Sequence, residues 1–193
     1  GTQKAEEQLC ELLPEARILR IDTDSVAARF SLEKKLDQFA RGEYDVMVGT
    51  QMVAKGLDFE NVTLVGVLSA DQSLYSDDFR SSERTFDLLT QVVGRAGRGK
   101  YPGTALIQTF SPENPVLRFA CKQDYFGFYE QEAAFRQALL YPPFVDLLVI
   151  GFVGQQEQKV KEAASLFLEM LGKLASEEYS ELPLRVLRPS PAA

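Results

Sequence analysis

Val62-Thr63-Leu64-Val65-Gly66-Val67-Leu68 is the stretch that most limits the folds open to this chain. It is nearly all apolar. A run of that kind at strand length belongs to a strand covered on both faces, whereas the half-wet strand of an antiparallel sheet alternates apolar with polar. Three more short runs are read as strands: Ala16 to Ile21, Asp45 to Val48 and Thr104 to Phe110. Between them lie stretches with helical spacing. Leu32 to Phe39 is amphipathic and closes at Arg41-Gly42. A longer helix runs on from Phe79, with Ser76 as its expected cap and Asp77-Asp78 in its first turn. Strand, helix, strand, helix, strand predicts an α/β fold with a mostly parallel sheet and helices on both sides. Ligands of such sheets bind beyond the C-terminal strand ends. Asp22, Thr50, Asp71 and the loops around them are therefore the positions to watch.

The flanks extend this pattern. Thr2 to Leu13 has helical spacing, with Thr2 as cap and Pro14 as stop, and Gln51 to Lys55 predicts one helical turn ending at Gly56. Ser111-Pro112-Glu113-Asn114-Pro115 is turn chemistry and marks a boundary at about residue 115. Residues 116–141 then read as a helical connector whose aromatics, among them Phe119, Tyr125, Phe128 and Phe135, are expected to pack between modules. After Tyr141-Pro142-Pro143, a strand at Phe144 to Val153, a helix at Gln156 to Ala175 and a strand at Leu182 to Leu187 predict a truncated α+β unit over 142–193. Such a trio has unpaired edges and half a core.

Charge and composition narrow the chemistry. A net charge of -7 argues against binding nucleic acid through bulk positive charge, although a local basic face is compatible with it. With no histidine, His-based triads, general bases and metal sites are excluded, and no metal site is expected. Cys10 and Cys121 form no CxxC pair, are expected to be buried, and fit a reducing, cytoplasmic interior. No run reaches the length of about 20 apolar residues needed to span a membrane. There is no starting Met, and the chain is expected to be an excised piece of a longer protein.

The most chemically pointed stretch is Gln91-Val92-Val93-Gly94-Arg95-Ala96-Gly97-Arg98-Gly99. At helical spacing Phe86, Leu89, Val93 and Ala96 share one face, while Arg84, Gln91, Arg95 and Arg98 fall roughly opposite. Glycine inside a helix costs about 1 kcal/mol relative to alanine, and Gly94 and Gly97 each precede an arginine. One reading is a backbone brought close to a ligand, with planar guanidinium forks on phosphate oxygens. The other is a helix end whose cations answer the macrodipole and whose Gly99 stops the helix. The stretch alone leaves both open. A phosphate-cradling loop is missing, because Gly99-Lys100 and Gly172-Lys173 are followed by Tyr101 and Leu174 and not by Ser or Thr. What remains suits arginines reaching across to a phosphoryl group held elsewhere.

Two segments carry a resemblance. Gly49-Thr50-Gln51-Met52-Val53-Ala54-Lys55-Gly56-Leu57-Asp58-Phe59 and Gln91 to Arg98 resemble motifs V and VI of superfamily 2 helicases. Gly1-Thr2-Gln3, Ile18 to Asp22, Val62 to Leu68, Glu83-Arg84-Thr85, Pro102-Gly103 and Tyr141 to Phe144 extend a resemblance to the primosomal replication-restart helicases over essentially the whole chain. The resemblance implies a second RecA-like lobe over residues 1–115 and a partial C-terminal domain similar to a small ribosomal-subunit protein. It implies a 3′-to-5′ ATP-dependent DNA helicase that reloads the replisome at stalled forks. Its partners would be single-stranded or forked DNA, primosome proteins and single-strand-binding proteins, with no membrane. ATP and Mg²⁺ would be held with an earlier lobe that carries the phosphate loop, so the fragment alone is expected to be inactive. Zinc would belong to an insertion upstream, not to this stretch.

By position in those motifs, Arg95 and Arg98 would meet the γ-phosphate, and Gln91 would couple nucleotide state to DNA. Gly56 and Asp58 would line the nucleotide side of the cleft, and Thr50 and Gln51 would touch the DNA backbone. Val92 stands where many related helicases have arginine, so the motif supplies two phosphate-facing arginines here; Leu57 stands where the family often has histidine. Thr50 as a simple cap and Gly56 as a simple helix stop are the plain alternatives. The rival functions are another superfamily 2 motor on RNA or branched DNA, and a non-catalytic nucleic-acid-binding or protein-binding module in which Gly94 to Gly99 is a basic loop.

Overall fold

The computed structural model describes residues 1–21, 28–50, 59, 61–94 and 102–190. The apolar runs form four short strands: β1 (Ile18–Ile21), β2 (Val46–Gly49), β3 (Leu64–Val67) and β4 (Thr104–Ile107). Ile18 of β1 lies opposite Val46 of β2 and Leu64 of β3 opposite Thr104 of β4, and both pairs are parallel. The single sheet expected from sequence is not seen, because ladder bonds among the described residues join the strands in two separate pairs. The helices are α1 (Thr2–Leu12), α2 (Ala28–Ala40), α3 (Asp71–Leu74), α4 (Ser81–Val93), α5 (Pro115–Lys122), α6 (Tyr125–Leu139) and α7 (Glu157–Glu177).

The chain divides into two compact units, Gly1–Val145 and Asp146–Ala193. In the first, Leu19 and Ile21 are the buried residues of β1. Arg17 staples the start of β1 to the start of β2. Its backbone N–H, Nε and Nη2 donate to Asp45 at 2.9, 3.0 and 2.8 Å, and Nη2 also reaches the Gly42 carbonyl. Around β3 and β4 a larger core gathers Ala70, Leu74, Phe86, Leu89, Val116, Leu117, Ala120 and Phe128, with Val67 and Ile107 packed against it. The 116–141 stretch, expected as a connector, thus shares one core with α4.

β3 is not covered on both faces. Val65 and Val67 turn inward, whereas Leu64 is 59% exposed, as is Leu106 on β4. In a two-stranded ladder packed on helices from one side, the outer row keeps its contact with water. Asp71 lies at the start of α3 and binds the end of β4: its carboxylate accepts from Thr109 Oγ1 at 2.9 Å and from the Phe110 N–H at 3.1 Å. That position, watched for a ligand, holds two loops together.

Local signals account for most helix ends, with corrections. α5 begins at Asn114, whose side chain accepts from the Val116 N–H, with Pro115 in the first turn. α6 begins at Asp124, which accepts from the Gly127 N–H at 2.9 Å. A Cβ on Gly127 would lie 2.6 Å from Asp124 Oδ2 and 2.7 Å from Phe119 Cε1, so a side chain there would push the Asp124 carboxylate or the Phe119 ring out of the α5–α6 corner. Ser76 does not cap α4, which begins at Ser81 with Arg80 at the cap position. Asp78 turns instead to the Arg80 N–H and Nε and to Arg84 Nη1. The backbone N–H of Arg80 first, and then the two guanidiniums, hold the Asp78 carboxyl below its ordinary range. Thr2 is already inside α1 and Gly1 takes the cap. Cys10 and Cys121 are both exposed, not buried, since they lie on outer faces of α1 and α5.

The second unit differs most from expectation. Neither 144–153 nor 182–187 forms a strand, and α7 is its only described element. Extended segments become strands only when a neighbour satisfies their backbone groups, and among the described residues none does. Among its described residues Ala164 alone is buried, while Leu148 and Val149 are each 82% exposed. Phe152 and Phe167 make its one described ring contact, centroids 5.6 Å apart.

Candidate functional site

The helix that carries the candidate site is α4. Phe86, Leu89 and Val92 are 2%, 1% and 6% exposed and bury one side of it. The sequence placed Val93 on that stripe; a spacing of three puts Val92 there instead, and Val93 is half-buried. Val92 is thus a core residue, and an arginine at its place would have to enter the apolar interior. Thr85 is also buried and donates its hydroxyl to Ser73 Oγ at 2.9 Å, fixing α4 to α3. The hydroxyl of Thr90 is buried and, among the described residues, has no hydrogen-bond partner.

Gln91 projects from the last turn of α4 into solvent. Arg84, expected beside it as one of three guanidiniums, is engaged by Asp78 at 2.8 Å. Gly94 follows with right-handed helical angles, φ -67 and ψ -11. A Cβ there would stand 2.9 Å from Gln123 Nε2 and 3.1 Å from the Thr90 carbonyl oxygen. The close approach that the glycine was expected to permit is therefore, at Gly94, an approach by the chain's own Gln123. That residue ends α5 in the left-handed region, φ 54 and ψ 33, which turns its side chain back toward α4.

Thr50 is exposed immediately after β2, at the C-terminal strand end where ligands of parallel sheets bind. Thr50 and Gln91 stand on separate elements. Gln51, Gly56, Asp58, Arg95 and Arg98, which would complete a site with them, lie outside the described residues, as does Asp22. The larger surface depression, about 460 Å³, is lined by Glu6, Arg20, Lys35 and Tyr44. A second, about 300 Å³, lies beyond β4 between Ile107, Thr109, Leu117, Arg118 and Lys122. Neither is lined by a residue put forward from the sequence as a catalytic, nucleotide-binding or DNA-binding candidate.

Two contacts that shape this helix escaped notice in the sequence. Glu83, in the first turn of α4, receives Arg136 Nη2 at 2.7 Å from 53 positions downstream. Phe86 stacks on Phe128 with centroids 4.1 Å apart and planes 4° from parallel. Neither contact has a local signal, although the aromatic content of 116–141 did point to packing.

Similarity to known proteins bears on this chain. The helicase conserved C-terminal domain family matches residues 2–100, which include β1 to β3, α4 and both segments singled out above. The replication restart protein PriA of Bacillus subtilis is 46% identical over 171 residues, covering 89% of this chain and 21% of that protein. PriA of Synechocystis is 42% identical over 191 residues, 97% of this chain and 23% of its own. PriA of Thermotoga maritima is 36% identical over 171 residues, 89% and 23%. The chain spans about a fifth of the length of the curated relatives it matches.

Proposed function

The chain belongs to the helicase conserved C-terminal domain family, and on that premise we propose that it forms the second RecA-like lobe of an ATP-dependent 3′-to-5′ DNA helicase serving replication restart. The observation that carries this reading is Gln91, exposed on the last turn of a helix whose other side is core, inside the matched segment and directly before Arg95 and Arg98. Similarity to replication restart proteins along both compact units supports the choice of process.

In this reading Arg95 and Arg98 reach the γ-phosphate of ATP bound against another lobe and neutralise charge that develops as the phosphoryl group leaves. Gly56 and Asp58 line the nucleotide side. Thr50 and Gln51 hold the backbone of single-stranded DNA, which suits a motor that must ignore sequence. Gln91 lies between the two and transmits nucleotide state to DNA. The Mg²⁺ that accompanies ATP would be held with the other lobe, and the zinc of the family upstream of this stretch. Single-strand-binding and primosome proteins are the proposed partners of the whole protein, and the cytoplasm its proposed compartment.

The test is Arg98→Ala in the full-length protein, with ATP turnover measured with and without single-stranded DNA. Loss of DNA-stimulated turnover with nucleotide affinity retained is expected. Equal loss of both would mark a ground-state contact and overturn the finger role.

A further inference from the structure

Arg136 is the most enclosed guanidinium with described partners, its side chain only 11% exposed. It lies in the last turn of α6 and has four neighbours from three parts of the chain. Nη2 donates to Glu83 Oε2 at 2.7 Å and Nε to Glu132 Oε1 at 2.8 Å, while Nη1 reaches the Pro142 carbonyl at 3.4 Å. The fork also lies over the Phe79 ring, 5.3 Å from its centroid. That ring is itself stacked on Tyr141. Burial opposes the charge of Arg136, but its hydrogen bonds to Glu83 and Glu132 outweigh it and leave the group above its ordinary range.

Such a cluster is an expensive way to gain stability, since well-packed apolar residues often do as well as a buried ion pair. A planar fork held on several sides is a good way to fix an orientation. What it orients is α4. Glu83 meets Arg136, Phe86 meets Phe128, and Gly94 meets Gln123. As numbers rise along α4 they fall along the partners, so α6 runs in the opposite sense to α4, and with Gln123 at the C-cap of α5 it meets α4 at its start, middle and end. Rotation of α4 about its axis would break the first contact and unstack the second.

We propose that Arg136 is a positioning residue of the motor: by clamping Glu83 it sets the rotation of α4, and so the direction in which Gln91 is presented. This rests on the helicase reading above. In this role Arg136 acts through α4 and not through a contact of its own with nucleotide or DNA.

The experiment uses the full-length protein carrying Arg136→Met, Arg136→Lys and Glu83→Gln, beside Gln91→Ala. Turnover per folded molecule, its split into kcat and KM, nucleotide affinity and DNA stimulation are measured, with thermal stability recorded separately. Arg136→Met is expected to lower DNA-stimulated kcat by about tenfold, the scale of a small misplacement of reacting groups, with nucleotide affinity and DNA-free turnover unchanged. Lysine keeps the charge without the fork and should fall between. Glu83 is 46% exposed, so Glu83→Gln folds readily and should repeat the defect if Arg136→Met does not fold. Unchanged DNA stimulation in folded Arg136→Met or in Glu83→Gln, beside a defective Gln91→Ala, overturns the positioning role alone. A normal Gln91→Ala overturns it together with the reading on which it rests.

Discussion

Gln123 sends its amide nitrogen to within 2.9 Å of the point where a side chain on Gly94 would begin. The helix end that precedes the arginines is therefore shaped by a residue from the C-cap of α5. Gly94 has ordinary helical angles, so alanine there would gain about 1 kcal/mol in helix preference if nothing stood in the way. With the Gln123 amide and the Thr90 carbonyl in place, Gly94→Ala should gain less. Gln123→Gly removes the amide and relieves a left-handed residue. By urea denaturation its benefit should be larger in the Gly94→Ala chain than in the unaltered one, by about 0.5–1 kcal/mol. Equal benefit in both chains would mean the two side chains do not meet.

Phe86 and Phe128 join α4 to α6 through parallel rings in the core. Either replaced by alanine should destabilise the first unit by about 3–5 kcal/mol. A double-mutant cycle should return a coupling of about 0.5–1.5 kcal/mol, the part due to the ring pair and not to area alone. Additive losses would show that the rings fill space without recognising each other.

Thr90 carries a buried hydroxyl with no described partner. Valine has the same shape without the polar atom, so Thr90→Val should be neutral or stabilising by about 1 kcal/mol. A clear loss of stability would reveal a partner for that hydroxyl.

Asp45 is held near a pKa of about 2 against an ordinary 3.8, first by the Arg17 side chain and then by the Arg17 N–H. The unfolded chain therefore binds a proton that the folded chain refuses between about pH 4 and pH 2. The contribution is complete above that window and is lost as pH falls through it. Denaturation followed across the window should show a shallower loss for Asp45→Asn than for the unaltered chain. Added salt should shrink the difference, because both partners are half-exposed. Parallel slopes would count against the pair.

The sequence made the four strands of the first unit and their parallel sense legible, because short apolar runs separated by amphipathic helices admit few other arrangements. Thr50 at a strand end and Gln91 on the polar side of a helix followed from period and order alone. What escaped notice depends on chain segments far apart. Asp78 outcompetes Ser76 at the start of α4 because Arg80 and Arg84 meet it there. Cys10 is exposed because α1 buries none of its own residues. Gly94 read as a place for a ligand because nothing near it in sequence announced Gln123. The same limit hid Arg136, whose carboxylate partner Glu83 comes before the turn at 111–115 and after which the chain has reversed direction.

The segment from Leu147 to Val153 has a practical consequence for anyone handling this protein. Leu148, Val149 and Val153 stand open to water on a backbone with no strand partner among the described residues, and the stretch has neither proline nor charge to discourage stacking. Molecules that meet there can complete each other's missing ladders. Shelf life should therefore shorten steeply with concentration, and a single lysine at position 149 should act as a gatekeeper and lengthen it.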